Sequence, residues 1–86
     1  FPYTTLFRSA NYRLGAILYG EKDFEKALPY FKKVVNLYPY DYDSVLMLAW
    51  TYLNLNKGRE AKVLFEKALL MKPESDSARE GLSKIK

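Results

Sequence analysis

With 86 residues, no cysteine and no histidine, the chain has room for one small domain, and it excludes a disulfide framework, thiolate metal sites and imidazole-based catalytic pairs. Half of it is apolar and 28% is charged, which is the balance of a folding chain rather than a disordered one. The net charge of +4 comes from basic residues spread along the chain with acids between them. Nucleic-acid binding needs basic residues gathered on one face, so none is expected. The longest apolar stretch, Val45 to Leu55, is broken by Thr51 and Asn54 and is too short to span a bilayer.

The elements follow in chain order. From Ala10 to Tyr19 the apolar residues Leu14, Ile17 and Leu18 have helical spacing, and Gly20 suits a helix C-terminus. Glu21, Lys22 and Asp23 form a polar turn, with Asp23 as N-cap of the next helix. In that second helix Phe24, Ala27, Leu28, Phe31, Val34, Val35 and Tyr38 form one continuous stripe, with Glu25, Lys26, Lys32, Lys33 and Asn36 off it. Pro29 removes one hydrogen bond near the helix start and bends the helix. Pro39 ends it. Asp41 or Asp43 caps a third helix that runs to about Asn54. After a turn at Asn56, Lys57 and Gly58, a fourth helix carries Ala61, Leu64, Phe65, Ala68 and Leu69 and ends before Pro73. Ser75 or Asp76 opens a last short helix bearing Ala78, Leu82 and Ile85. The short connections make successive helices antiparallel neighbours.

The chain says one thing twice. Ala27-x-x-x-Phe31-x-x-Val34 followed by Pro39 returns as Ala61-x-x-x-Phe65-x-x-Ala68 followed by Pro73, and Leu14-Gly15 returns as Leu48-Ala49. Every one of these offsets is 34 residues, the mark of a stacked repeat array. Ala27, Ala61, Gly15 and Ala49 are small where bulk would hold paired helices apart. Close approach lets Phe31 and Phe65 fill the space between them. Removing either ring by Phe31→Ala or Phe65→Ala should cost on the order of 3–5 kcal/mol, which a domain this small does not survive.

These residues resemble the tetratricopeptide repeat, whose pattern W-x2-L-G-x2-Y…A-x3-F…P has the same period and order. Leu14-Gly15, Ala27, Phe31, Val34 and Pro39 carry the first copy. Leu48-Ala49, Tyr52, Ala61, Phe65, Ala68 and Pro73 carry the second. The Trp position holds Asn11 and Val45, the first Tyr position holds Leu18, and the aromatic opening the second helix is Phe24 in one copy but Gly58 in the other. Asn11, in a core-facing slot, suits a repeat that packs on a further repeat or on solvent. The resemblance implies an all-α fold of antiparallel helix-turn-helix units stacked as a short right-handed superhelical solenoid. Its divisions are repeat one at 10–41, repeat two at 42–75, and a capping helix or truncated third repeat at 76–86.

The same resemblance implies that the first helix of each pair lines a concave groove, at Tyr12, Ala16 and Tyr19 in copy one and Asp43, Leu46, Trp50, Leu53 and Asn54 in copy two. The residue pattern agrees at one point. The third helix has a stripe Val45-Leu48-Ala49-Tyr52 toward its pair and a second apolar stripe, Leu46-Trp50-Leu53, on another face. Two readings of Trp50 follow: it is covered by the first and terminal helices, or it stands in an open aromatic groove, where Trp and Tyr serve as anchors. Repeats that grip acidic chaperone tails use a clamp of Lys, Asn and Arg. Here the matching places hold Tyr12, Ala16, Met47, Ser77 and Gly81, so a peptide would be held by apolar and aromatic contacts, with Asn54 and Asp43 orienting it.

Residues 1–9, FPYTTLFRS, show no periodic apolar face and none of the marks of a secretory signal. Read as codons, all nine match the translation of a widely used sequencing-library adapter. They are therefore expected to be a non-native leader outside the fold, on a fragment of a longer protein.

No Gly-rich phosphate loop, paired catalytic carboxylates or metal-ligand cluster is present, so no enzymatic role and no cofactor are expected. The expected function is a protein-interaction scaffold that docks a protein or peptide partner, or another copy through its repeat ends. The rival is a structural spacer within a longer array or beside an enzyme. The residues assign no compartment; a soluble, cytoplasmic setting is the default expectation.

Overall fold

The computed structural model describes residues 2–85. Five helices follow one another: α1 Pro2–Gly20, α2 Phe24–Leu37, α3 Tyr42–Asn54, α4 Gly58–Met71 and α5 Asp76–Ser83. Among the described residues there is no strand. Each helix packs on the next, and α1 also touches α3 and α3 touches α5. The backbones of α2 and α4 do not approach one another in this way. The first helices of the units therefore form an inner row and the second helices an outer one, so the sheet of helices curves toward α1, α3 and α5. The whole measures 39 × 27 × 17 Å.

Both turns inside the repeats are built alike. Asp23 N–H bonds to the Leu18 carbonyl and Lys57 N–H to the Tyr52 carbonyl, each at 2.9 Å. Between them, Lys22 (φ 65°) and Asn56 (φ 62°) take the left-handed conformation. This is a Schellman-type close, which satisfies carbonyls left over at the helix end. The left-handed residue is thus Lys22 and not Gly20, which stays helical. Asn tolerates this conformation better than Lys does. The connections between repeats also match. Asp41 N–H bonds to the Tyr38 carbonyl and Ser75 N–H to the Lys72 carbonyl, both at 3.0 Å.

Three of the expected capping residues occupy the N-cap position, and only one of them caps with its side chain. Ser75 Oγ accepts from Ala78 N–H at 3.1 Å. Asp23 and Asp41 make no such bond. The Asp41 carboxylate is taken by the Arg8 guanidinium at 2.9 Å and by the Ser44 hydroxyl. Tyr42 and Ser75 repeat the Arg8–Asp41 tie one unit later, with Tyr42 hydroxyl and Ser75 Oγ 2.6 Å apart. In both cases an inner helix is thereby tied to the N-cap residue of the next inner helix.

Helix α1 starts at Pro2 rather than at Ala10. Proline is well tolerated in the first helical turn, and no glycine or proline interrupts the chain again before Gly15. Residues 2–9 are therefore helical, and Arg8 reaches Asp41 at the N-cap of α3. Asn11, in the slot of the pattern's Trp, donates back to the Phe7 carbonyl at 2.8 Å and sits half-buried.

The core runs along the seam between the rows. Ala27, Phe31, Val34, Val45, Ala49, Ala61, Phe65, Ala68 and Ala78 have no exposure. The two phenylalanines settle differently. A Cβ at Gly15 would stand 2.9 Å from the Phe31 ring, so Phe31 leans on its own partner helix. A Cβ at Gly81 would stand 2.2 Å from Phe65 Cζ, so Phe65 leans forward onto α5. The 34-residue register explains the exchange. Met47, one period before Gly81, packs against the cluster that holds Phe31, whereas at Gly81 the Phe65 ring takes the space a side chain would need. Ala49 then fits where Gly15 is needed in the first unit. Gly81, which has no neighbouring glycine to mark it in the sequence, is thus a packing residue.

Candidate functional site

The inner row presents residues from α1 and α3 side by side, because helical spacing puts Tyr12, Ala16 and Tyr19 on one face of α1 and Leu46, Trp50 and Leu53 on one face of α3. Tyr12 is half-buried. Its ring meets Phe31 edge-on with centroids 5.8 Å apart, and the Arg8 guanidinium lies 5.7 Å over it. Burial pushes the Tyr12 phenol above its ordinary value, and the Asp43 carboxylate adds to the push. Asp43 itself is exposed. Ala16 packs half-buried against the cluster of Ala27, Phe31 and Leu48.

Tyr19 closes the other end of this face. Its ring stands edge-on to Phe24 at 5.1 Å. Its hydroxyl accepts a hydrogen bond from Asn54 Nδ2 at 3.1 Å. The same Asn54 nitrogen donates to the Trp50 carbonyl at 2.8 Å. Burial raises the Tyr19 phenol pKa, and the bond from Asn54 offsets part of that rise. Asn54 is exposed, so this bridge from α1 to α3 lies at the surface of the face.

Trp50 is neither fully covered nor an open plate. It is half-buried. Its ring meets Phe65 edge-on at 5.2 Å. Its Nε1–H donates to Ser77 Oγ on α5 at 3.0 Å. The contact with α5 thus lies at the Nε1 edge of the indole. Leu46 and Leu53 are half-buried beside it against the cluster of Val45, Ala49 and Phe65. Ser77 is the residue of this site that residue pattern alone did not assign to Trp50. Its signal is the register, since Ser77 is one period after Asp43 and therefore lies on the inner face of α5.

The chemistry on this face is aromatic and apolar, with Asn54, the two phenol hydroxyls and Asp43 as its polar points. Where the carboxylate clamp of related folds would need cations, Gly81 lies buried beneath Phe65 and Ser77 is engaged by Trp50. Among the described residues no group of His, Cys, Asp and Glu is placed to hold a metal ion. No helix among them is long and apolar enough to cross a membrane.

Comparison with known proteins agrees with this architecture. The family model described as tetratricopeptide repeat matches residues 18–85. Mouse protein O-mannosyl-transferase TMTC3 is 38% identical over 61 residues, which is 71% of this chain and 7% of that protein. The human protein of the same name is 34% identical over 61 residues, with the same coverage. The chain therefore spans less than a tenth of the length of the curated relatives it matches.

Proposed function

This chain belongs to the tetratricopeptide repeat family, and we propose that it serves as a protein-interaction module whose concave face docks an extended segment of a partner protein. The observation that carries the reading is the surface bridge between Tyr19 and Asn54 beside a half-open Trp50. It joins α1 and α3 into one continuous aromatic strip. Tyr and Trp supply large contact area at small entropic cost, which is why they anchor interfaces. The site comprises Tyr12, Ala16, Tyr19, Asp43, Leu46, Trp50, Leu53 and Asn54. Asp43 is the exposed charge among them, and we assign it the choice of a partner with a basic residue at that end.

The limits of the units follow the register, at 10–41, 42–75 and 76–86, and residues 1–9 are read as a non-native leader. The transferase activity in the relatives' names belongs to those proteins. In a longer chain with such an activity, this segment would supply a docking surface beside the catalytic part.

The test is selection of peptides from a random library on the whole chain. Tyr19→Ala and Asp43→Lys should each weaken the selected peptides by about tenfold or more, the scale of an interface anchor, with Tm lowered in Tyr19→Ala by the lost packing on Phe24 and nearly unchanged in Asp43→Lys, where the residue is exposed. Equal binding by both variants sinks the docking reading. The spacer reading, which the Trp50–Phe65 packing favours, then takes its place.

A further inference from the structure

The outer face of α4 carries an apolar line in solvent. Val63 is 64% and Leu70 85% exposed. They stand about two helical turns apart on one side of the helix, opposite the residues that α4 buries, Ala61, Phe65 and Ala68. Further repeats stacked at either end of the array would not cover this side. One period earlier the same places hold Pro29 and Asn36, so the line belongs to the second unit alone. Tyr40 widens it. That ring is 77% exposed, and Lys67 Nζ lies 4.8 Å over it. Four charges border the line. Helical spacing puts Arg59 and Glu66 on one flank and Glu60 and Lys67 on the other. Arg59, Glu60 and Glu66 are exposed and form no ion pair among the described residues. Each flank thus has one cation and one anion, in opposite order along the helix.

We propose that α4 pairs with α4 of a second copy of this chain, side by side and parallel about a two-fold axis. That symmetry lays Val63 on Val63 and Leu70 on Leu70, and it sets each flank against the opposite flank of the other copy. Arg59 then faces Glu60 of the second copy and Glu66 faces its Lys67, and the axis repeats both pairs. The opposite charge order on the two flanks is the ground for this occupant, since flanks of equal order would oppose like charges. An antiparallel pair centred between Val63 and Leu70 sets Glu66 against Glu66 and Lys67 against Lys67. One centred on Val63 matches the charges but leaves Leu70 beside the turn at Asn56 of the second copy. The balanced rim also counts against an anionic membrane surface, which draws clusters of cations. Exposed ion pairs add little energy; here they choose the partner and its direction. The apolar line is one helix wide, so the dimer is weak and depends on concentration.

The test is sedimentation equilibrium of the whole chain from about 10 μM to about 1 mM. The dimer fraction should rise across that range, and Leu70→Asp should leave only monomer. Glu66→Lys should weaken the dimer about tenfold, and the double variant Glu66→Lys, Lys67→Glu should restore it. Direction has its own readout. In a chain without cysteine, Leu70→Cys should link to its copy under oxidised glutathione, because the parallel pair brings the two positions within disulfide reach. Lys26→Cys, on the exposed side of α2, should stay unlinked. Unchanged circular dichroism checks that the variants fold. A monomer throughout the range, a dimer that survives Leu70→Asp, no recovery in the double variant, or equal linking of the two cysteine variants overturns the proposal. A dimer that Leu14→Asp dissociates and Leu70→Asp does not also overturns it, in favour of contact through the repeat ends.

Discussion

Glycine placement decides how the two phenylalanine rings pack. Phe65 fits only because Gly81 has no side chain, and the ring is fully buried and cannot swing away. Gly81→Ala should therefore loosen α5 and lower stability by about 1–3 kcal/mol, the usual cost of overpacking. Gly20→Ala, with open space around the new Cβ, should be neutral or stabilise by roughly 0.5–1 kcal/mol through better helix propensity. Thermal denaturation of the pair separates the two effects, and equal shifts would contradict the packing account. Asp41 gives a second residue-level prediction. Burial pushes its carboxyl up, but hydrogen bonds from Arg8 and Ser44 outweigh that and hold it below its ordinary value. A carboxyl lowered in the folded state adds stability above its unfolded pKa of about 3.9 and loses it as pH falls through the folded value. The stability gap between the wild type and Asp41→Asn should thus be level from neutral pH down to about 4 and close below it. The gap itself should be small, about 0.2–1 kcal/mol, because Arg8 is one-third exposed.

At the level of elements, apolar spacing and capping residues marked the helices, and the 34-residue period paired them, because small and aromatic residues recur where helices must touch. The start of α1 was not legible. Residues 2–9 lack an apolar stripe, so pattern gave no reason to join them to a helix that propagates into them all the same. Gly20 ends α1 as expected, and the left-handed residue of the turn, which pattern did not assign, is Lys22, one period before Asn56. Lys22 is consequently the weak point of its turn. Lys22→Gly should raise stability by about 1 kcal/mol, since glycine takes positive φ without steric cost. Chemical denaturation measures it, and a destabilised variant would contradict the strain assigned to this turn.

For the molecule as a whole, the proposed docking face rests on curvature. The backbones of α1 and α3 and of α3 and α5 approach one another and those of α2 and α4 do not, so α1, α3 and α5 converge on one face. The location of that face was legible through resemblance to the family. The division of Trp50 between core and surface was not, because it depends on where Ser77 and Phe65 stand in space. The account therefore treats the strip from Tyr12 through Tyr19 and Asn54 to Trp50 as a docking face with a structural edge. The most direct test is amide chemical-shift mapping of the whole chain titrated with a library-selected peptide. Shifts should gather at Tyr12, Ala16, Tyr19, Leu46, Trp50, Leu53 and Asn54. Shifts confined to the outer helices α2 and α4 would contradict the account.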